Sequence, residues 1–285
     1  MKSLIERNLR LFFSSKSKVF FSLLGALISF VLYLVFLRQS MQESWSALKD
    51  SQKILDYWLI GGTLTVTTIT TTGGAMTNLV SDRESNRLAD LVLTDTSYTK
   101  ITLSYLLSAW IIGFIMQGFM YANMQVYFMI QDKISFDGVV FLKLLGLMIL
   151  SSLLWSAINL LIFTFVKTSD TFGKINTIIG TAAGFFAGVY FPIGAMPTFA
   201  KSLIKLTPVP YNAAIYRQVM MNKELNHALK GLPVDKVLDF KKSMGIVIGK
   251  GFSTETYNMG ITFIIVIVLI LGLYRYNKNV VLNKV

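Results

Sequence analysis

Long unbroken apolar blocks constrain the fold of this chain more than any motif within it. Six of them, at residues 19–37, 57–80, 101–129, 141–166, 175–191 and 257–274, reach the length at which an α-helix crosses ~30 Å of hydrocarbon, about 17–25 residues. They are apolar all round instead of alternating, which argues against a transmembrane β-barrel. Hydrophobic residues make up 53% of the chain and charged ones only 15%, against ~25% in globular domains, so water cannot solvate most of the surface. Cysteine is absent, which removes disulfides, thiol catalysis and cysteine-ligated metals. The expected fold class is an all-α integral membrane protein with six transmembrane helices. The first block exceeds the ~7–15-residue core of a secretory signal and is read as a retained span.

Charge gives the orientation. Lys2, Arg7, Arg10, Lys16 and Lys18 precede the first block against one acid, Glu6. The positive-inside rule places that end in the cytoplasm, and six spans return the C-terminus to the same side. Residues 82–100 and 167–174 are then cytoplasmic, and residues 195–256 fall outside despite their many lysines. Such long segments translocate largely regardless of charge. The formal net charge of +12 accordingly reads as loop charge touching anionic lipid, not as a nucleic-acid surface. Within residues 1–18, Ile5, Leu9, Phe12 and Phe13 share one helical face while Glu6, Arg7 and Arg10 take the other, which predicts an interfacial amphipathic helix.

No ionisable residue lies inside the six blocks except Lys143 near one end. A proton-coupled carrier keeps carboxylates or histidines there for relay, so that class is disfavoured. A phosphate-cradling loop is missing as well: Gly173-Lys174 runs into Ile175, and Gly249-Lys250 into Gly251. The single histidine, His227, lies in the long outer segment and supports neither a metal centre nor a catalytic constellation. Any ATP that drives this chain binds elsewhere.

Residues 81–96 follow the second block with Asp82, Arg83 and Glu84 and then an apolar ridge of Leu88, Leu91 and Val92. This is one of three segments that resemble those of the ABC type-2 membrane permeases; Asp95 stands where that family commonly has proline. The resemblance implies a cytoplasmic coupling helix at 82–97 that docks on an ATPase. Pro192, Pro197, Pro208, Pro210, Tyr211 and Arg217 resemble the family's re-entrant helical hairpin before the last span, set beside an exit path in residues 192–256. The N-terminal helix resembles the family's elbow helix. Residues 222–251 lengthen the outer segment relative to a minimal member, with Val237, Phe240 and Met244 at the spacing of a short amphipathic helix.

Two features inside the blocks carry their own expectations. Gly180, Gly184 and Gly188 form a small-residue stripe suited to close helix packing, within one protomer or between two. The second block is rich in threonine; Thr67, Thr68 and Thr71 are candidates for a mildly polar substrate path, and Gly61-Gly62 and Gly73-Gly74 for bends. The resemblance implies a permease subunit of an exporter in a bacterial plasma membrane, moving a drug, lipid or peptide. It further implies no catalysis or cofactor on this chain, ATP and Mg on two copies of a separate ABC ATPase subunit, and a second permease protomer, identical or related. The rival readings are a nucleotide-independent carrier or channel, a membrane-embedded enzyme, and an immunity or sensing complex.

Overall fold

The computed structural model describes residues 1–44, 51–93, 96–231 and 233–248, together with residues 260 and 267. The sixth block, at 257–274, and the tail lie outside the described residues apart from those two positions. Among the described residues the fold is all helix. It begins with α1 (Lys2–Phe13), and Ser15 caps the start of α2 (Lys16–Leu32) by accepting from the Lys18 amide. One π-helical turn, Tyr33–Leu37, carries α2 into α3 (Arg38–Ser44) without a break. Next come α4 (Ser51–Ala75), α5 (Thr77–Glu84) and α6 (Arg87–Leu93). The long helices α7 (Tyr98–Asp132), α8 (Gly138–Thr164) and α9 (Ser169–Phe186) follow, each opened by a side-chain cap from Ser97, Asp137 or Thr168. A 3-10 turn at Ile193–Ala195 leads to α10 (Thr198–Lys205), α11 (Val209–Ala228) and α12 (Val234–Ser243).

Among the described residues three stretches are long and apolar enough to cross a membrane by length and composition: Lys16–Glu43, Tyr98–Asp132 and Gly138–Thr164. Their unpartnered faces carry Phe21, Val35, Phe119, Ile130, Leu142 and Leu150, all exposed, as expected of residues that meet lipid. The first span runs on past the expected end at residue 37, through the π turn and into α3. The helix over residues 57–80 is central instead of peripheral: α4 packs against α2, α7, α8, α9 and α11. Its threonines suit that place. Thr67, Thr70, Thr71 and Thr72 each donate to a carbonyl one turn back, at 2.6 to 3.0 Å, so their hydroxyls are satisfied without water.

Neither glycine pair interrupts α4. Gly61 and Gly62 admit Arg217, whose atoms a Cβ there would meet at 3.0 and 2.8 Å, and a Cβ on Gly73 would meet Asn176 Oδ1 at 2.7 Å. These glycines allow close approach of neighbouring side chains, and α4 ends at Ala75, directly after the second pair.

The ends of the bundle are distinct. At one end α1 lies across α7, Phe12 is buried beside Leu23, Met76 and Tyr105, and α5–α6 turns under the bundle. At the far end, α3 and the C-terminus of α7 meet the start of α4, where Asp132 accepts from both Arg38 and Gln52. Tyr33 reaches Asp56 there at 3.1 Å.

All five prolines sit at or next to the start of a helical element. Pro192 precedes the 3-10 turn, Pro197 precedes α10, Pro208 and Pro210 open α11, and Pro233 precedes α12. Proline lacks an amide donor and has a preset φ, so a helix start tolerates it.

Candidate functional site

Two clusters of the residues singled out above fall at opposite ends of the bundle. The first is the α5–α6 segment. Its two short helices are joined at Ser85-Asn86, with Asn86 in the left-handed region at φ 59°, which asparagine tolerates. Asp82 is buried, Arg83 is half-buried and Glu84 is exposed, and each bonds a neighbouring helix. Asp82 accepts from Arg7 at 2.7 and 2.8 Å and from the Tyr105 hydroxyl at 2.6 Å. Burial raises its carboxyl, but the hydrogen bonds from Arg7 and Tyr105 and the Arg7 charge outweigh it, so Asp82 ionises below the usual carboxylate range.

Arg83 donates to the carbonyls of Phe163, at 3.1 Å, and Val166, at 2.5 Å, where α8 ends. Glu84 accepts from the amide of Ser169 at 3.1 Å and from its hydroxyl, where α9 begins. A cation at a helix C-terminus and an anion at an N-terminus both complement the helix dipole. The triplet therefore braces α5 to α1, α7, α8 and α9. The ridge residues Leu88 and Leu91 are half-buried and pack onto the same apolar cluster. Val92 lies in α6. The outward face of α6 belongs to Arg87, Ala89, Asp90 and Leu93, and Leu93 is 83% exposed.

The second cluster is the helical hairpin α10–α11 at the far end. Tyr211 ties its two helices through a 3.1 Å bond to the Lys205 carbonyl. Helix α11 packs along α4, and its buried Asn212 and Tyr216 reach Ser151 of α8 and Gln117 of α7 at 2.8 and 2.7 Å. Arg217 is fully buried and, among the described residues, touches no carboxylate. It donates to the carbonyls of Trp58, Gly188 and Gly245 at 3.2, 3.2 and 3.3 Å, and its guanidinium lies 4.5 Å from the centre of the Trp58 ring. Gly188 and Gly245 are both left-handed, at φ 64° and 63°, the conformation that presents these carbonyls at turns. Trp58 in turn donates to the Met244 carbonyl at 2.7 Å.

The glycine stripe is thereby split between three jobs. Gly180 faces Thr70 of α4, Gly184 gives room to the Tyr190 ring, which a Cβ would meet at 2.4 Å, and Gly188 lies beyond the end of α9 in the turn. Thr67, Thr68 and Thr71 are fully enclosed in the protomer. Thr68 accepts from Gln117, which also donates to Ser152 and accepts from Tyr216 at 2.7 Å, joining α4, α7, α8 and α11. Gln117, Trp58, Asp56 and Asp132 were missed by sequence reasoning. Their partners lie tens of residues away, and only their placement beside apolar blocks hinted at burial.

Apolar helices of spanning length define a multi-pass membrane protein. The ABC-2 type transporter family model matches residues 1–221, and the chain belongs to that family. Permeases of the family work with ABC ATPase subunits. No curated protein matches the chain. The match ends within α11, so α12 and the residues from 222 onward lie beyond it.

Proposed function

We propose that this chain is the membrane-spanning subunit of an ABC exporter that moves a hydrophobic or amphipathic molecule out of the cell. ATP, bound with Mg, is hydrolysed on two separate ATPase chains, and a second permease protomer completes the unit. The observation that carries the reading is the brace at α5–α6. Arg7–Asp82, Arg83 on the end of α8 and Glu84 on the start of α9 make this segment move with four other helices, while Leu93 is exposed and can meet a partner.

A push on α6 then travels as rigid-body motion. The α9 helix is the connecting rod: Glu84 holds its first residue, and just past its last turn Gly188 receives Arg217 of the hairpin. The hairpin in this scheme dips into the leaflet opposite the ATPase, with a sixth span following, both termini cytoplasmic, and Thr67, Thr68 and Thr71 lining a path only when the helices around α4 separate. Irregular backbone at membrane depth must be buried in protein, and the three carbonyls that Arg217 satisfies meet that need.

Affinity capture of the full chain from its native membrane tests the proposal. An ABC ATPase should co-purify and hydrolyse ATP, and the chain alone should not. Reproducible capture without an ATPase, or robust hydrolysis by the chain alone, would sink it.

A further inference from the structure

Beside the hairpin lies a cavity of about 550 Å³, within the ~300–1,000 Å³ of small-molecule sites. Lys201 and Lys205 of α10 and Lys242 of α12 line it, along with Ser243 and the apolar Ile193 and Val247, and among the described residues no carboxylate does. Among the described residues none of the three lysines forms an ion pair. Lys201 is held in place by donating to the Gly194 carbonyl at 2.8 Å. The same Gly194 lets the 3-10 turn sit directly on α12, since a Cβ there would meet Ser243 Cβ at 2.7 Å.

Lysine near a helix C-terminus is stabilising by itself, and Lys205 and Lys242 each occupy a last turn. That does not account for three lysines from two helices lining one cavity with no carboxylate among its described lining residues. On α10 itself Phe199, Leu203 and Leu206 share a different face at i, i+4, i+7, and Phe199 and Leu206 are 80% and 83% exposed. An apolar ridge beside lysines is how a short helix lies at the boundary between acyl chains and headgroups.

We propose that this cavity binds the phosphate of an anionic phospholipid headgroup, and that α12, which lies beyond the family match, completes the site by supplying Lys242 and Ser243. The lysines hold the phosphate, Ser243 offers a hydroxyl donor, and Ile193 and Val247 face the lipid's glycerol and upper acyl carbons. A bare phosphate would leave most of the cavity and its apolar wall unused. The site lies at the end of the bundle away from α5–α6 and needs no ATPase, so it stands or falls apart from the transport reading.

The test uses the purified full chain in nanodiscs of equimolar phosphatidylglycerol and phosphatidylcholine, without nucleotide, with retained lipid read by native mass spectrometry. The chain should retain phosphatidylglycerol preferentially. The K201Q/K205Q/K242Q variant should lose that preference by about fivefold per lysine, the worth of one basic residue beside an anionic surface. The arginine triple K201R/K205R/K242R should keep it, as should K223Q/K230Q/K236Q, which removes as much charge from exposed positions elsewhere. If the glutamine triple fails to fold, K242Q alone decides, because no residue of α12 is buried. Undiminished preference in the lysine-to-glutamine variants, or an equal loss in the control, overturns the site. Stripping of phosphatidylglycerol from the wild type by millimolar inorganic phosphate overturns the lipid as its occupant.

Discussion

Replacing Asp82 by alanine should loosen the brace beneath the bundle, and the size of the effect follows from its partners. Arg7 loses two short hydrogen bonds and Tyr105 loses one. Removing one member of a buried ion pair costs about 3–5 kcal/mol. The Arg7 side chain is 31% exposed, so water recovers part of that, and the discounted loss is about 2 kcal/mol. For a chain of this size that lowers the melting temperature by about 4–8 °C.

Tryptophan fluorescence on heating gives the melt, and a cycle of R7Q, D82N and the double variant isolates the pair. Coupling of at least ~1 kcal/mol is expected, and additivity within about 0.5 kcal/mol would refute the pairing as a source of stability. The pH dependence has a definite sign. Because the folded-state value of Asp82 is depressed, its contribution is fully present above the ordinary carboxylate value of ~3.9 and is lost as pH falls through the lower folded value. The wild-type advantage over D82N should therefore hold at pH 7 and shrink only below about pH 4. An advantage that vanishes between pH 5 and 7 would assign the effect to another group.

Two further outcomes follow from the far end and from the topology. R217K should lower stability by about 2 kcal/mol, because a lysine cannot reach three carbonyls at once, and should speed proteolysis at Lys241 and Lys242; unchanged melting and cleavage would remove Arg217 as the tie. In the cysteine-free chain, single cysteines at positions 201, 230 and 242 should react with an impermeant thiol reagent in intact cells, and those at 100, 167 and 278 only after permeabilisation; protection at 230 would reverse or break the six-span scheme.

What the sequence made legible was local. The face of Ile5, Leu9 and Phe12 gives α1, and the spacing of Val237, Phe240 and Met244 gives α12, because helical periodicity and burial are set within a few turns. The long apolar blocks at 101–129 and 141–166 appear as α7 and α8 for the same reason. What stayed hidden was pairing at a distance. Arg7 meets Asp82 across 75 positions and Arg217 meets Trp58 across 159, and no periodicity encodes such partners. Asp82, Arg83 and Glu84 were legible as the opening of a coupling element by resemblance alone, and the neighbouring helices that each of them bonds were not. Charge alone does not say which way a side chain turns, and here the ends of α8 and α9 offered the nearest complementary dipoles. Gly188 looked like part of a helical stripe because spacing continues past a helix end that only the turn geometry reveals.

The central claim is that the outward face of α6 meets a separate ATPase, and one measurement addresses it directly. A single cysteine replacing Leu93, in a chain with no other cysteine, should form a crosslink to the co-purified ATPase whose yield changes when ATP is added. A cysteine replacing Phe199, at the other end of the bundle, should form none. Absence of a crosslink from position 93 while the ATPase is present, or an equal yield from position 199, would contradict the account.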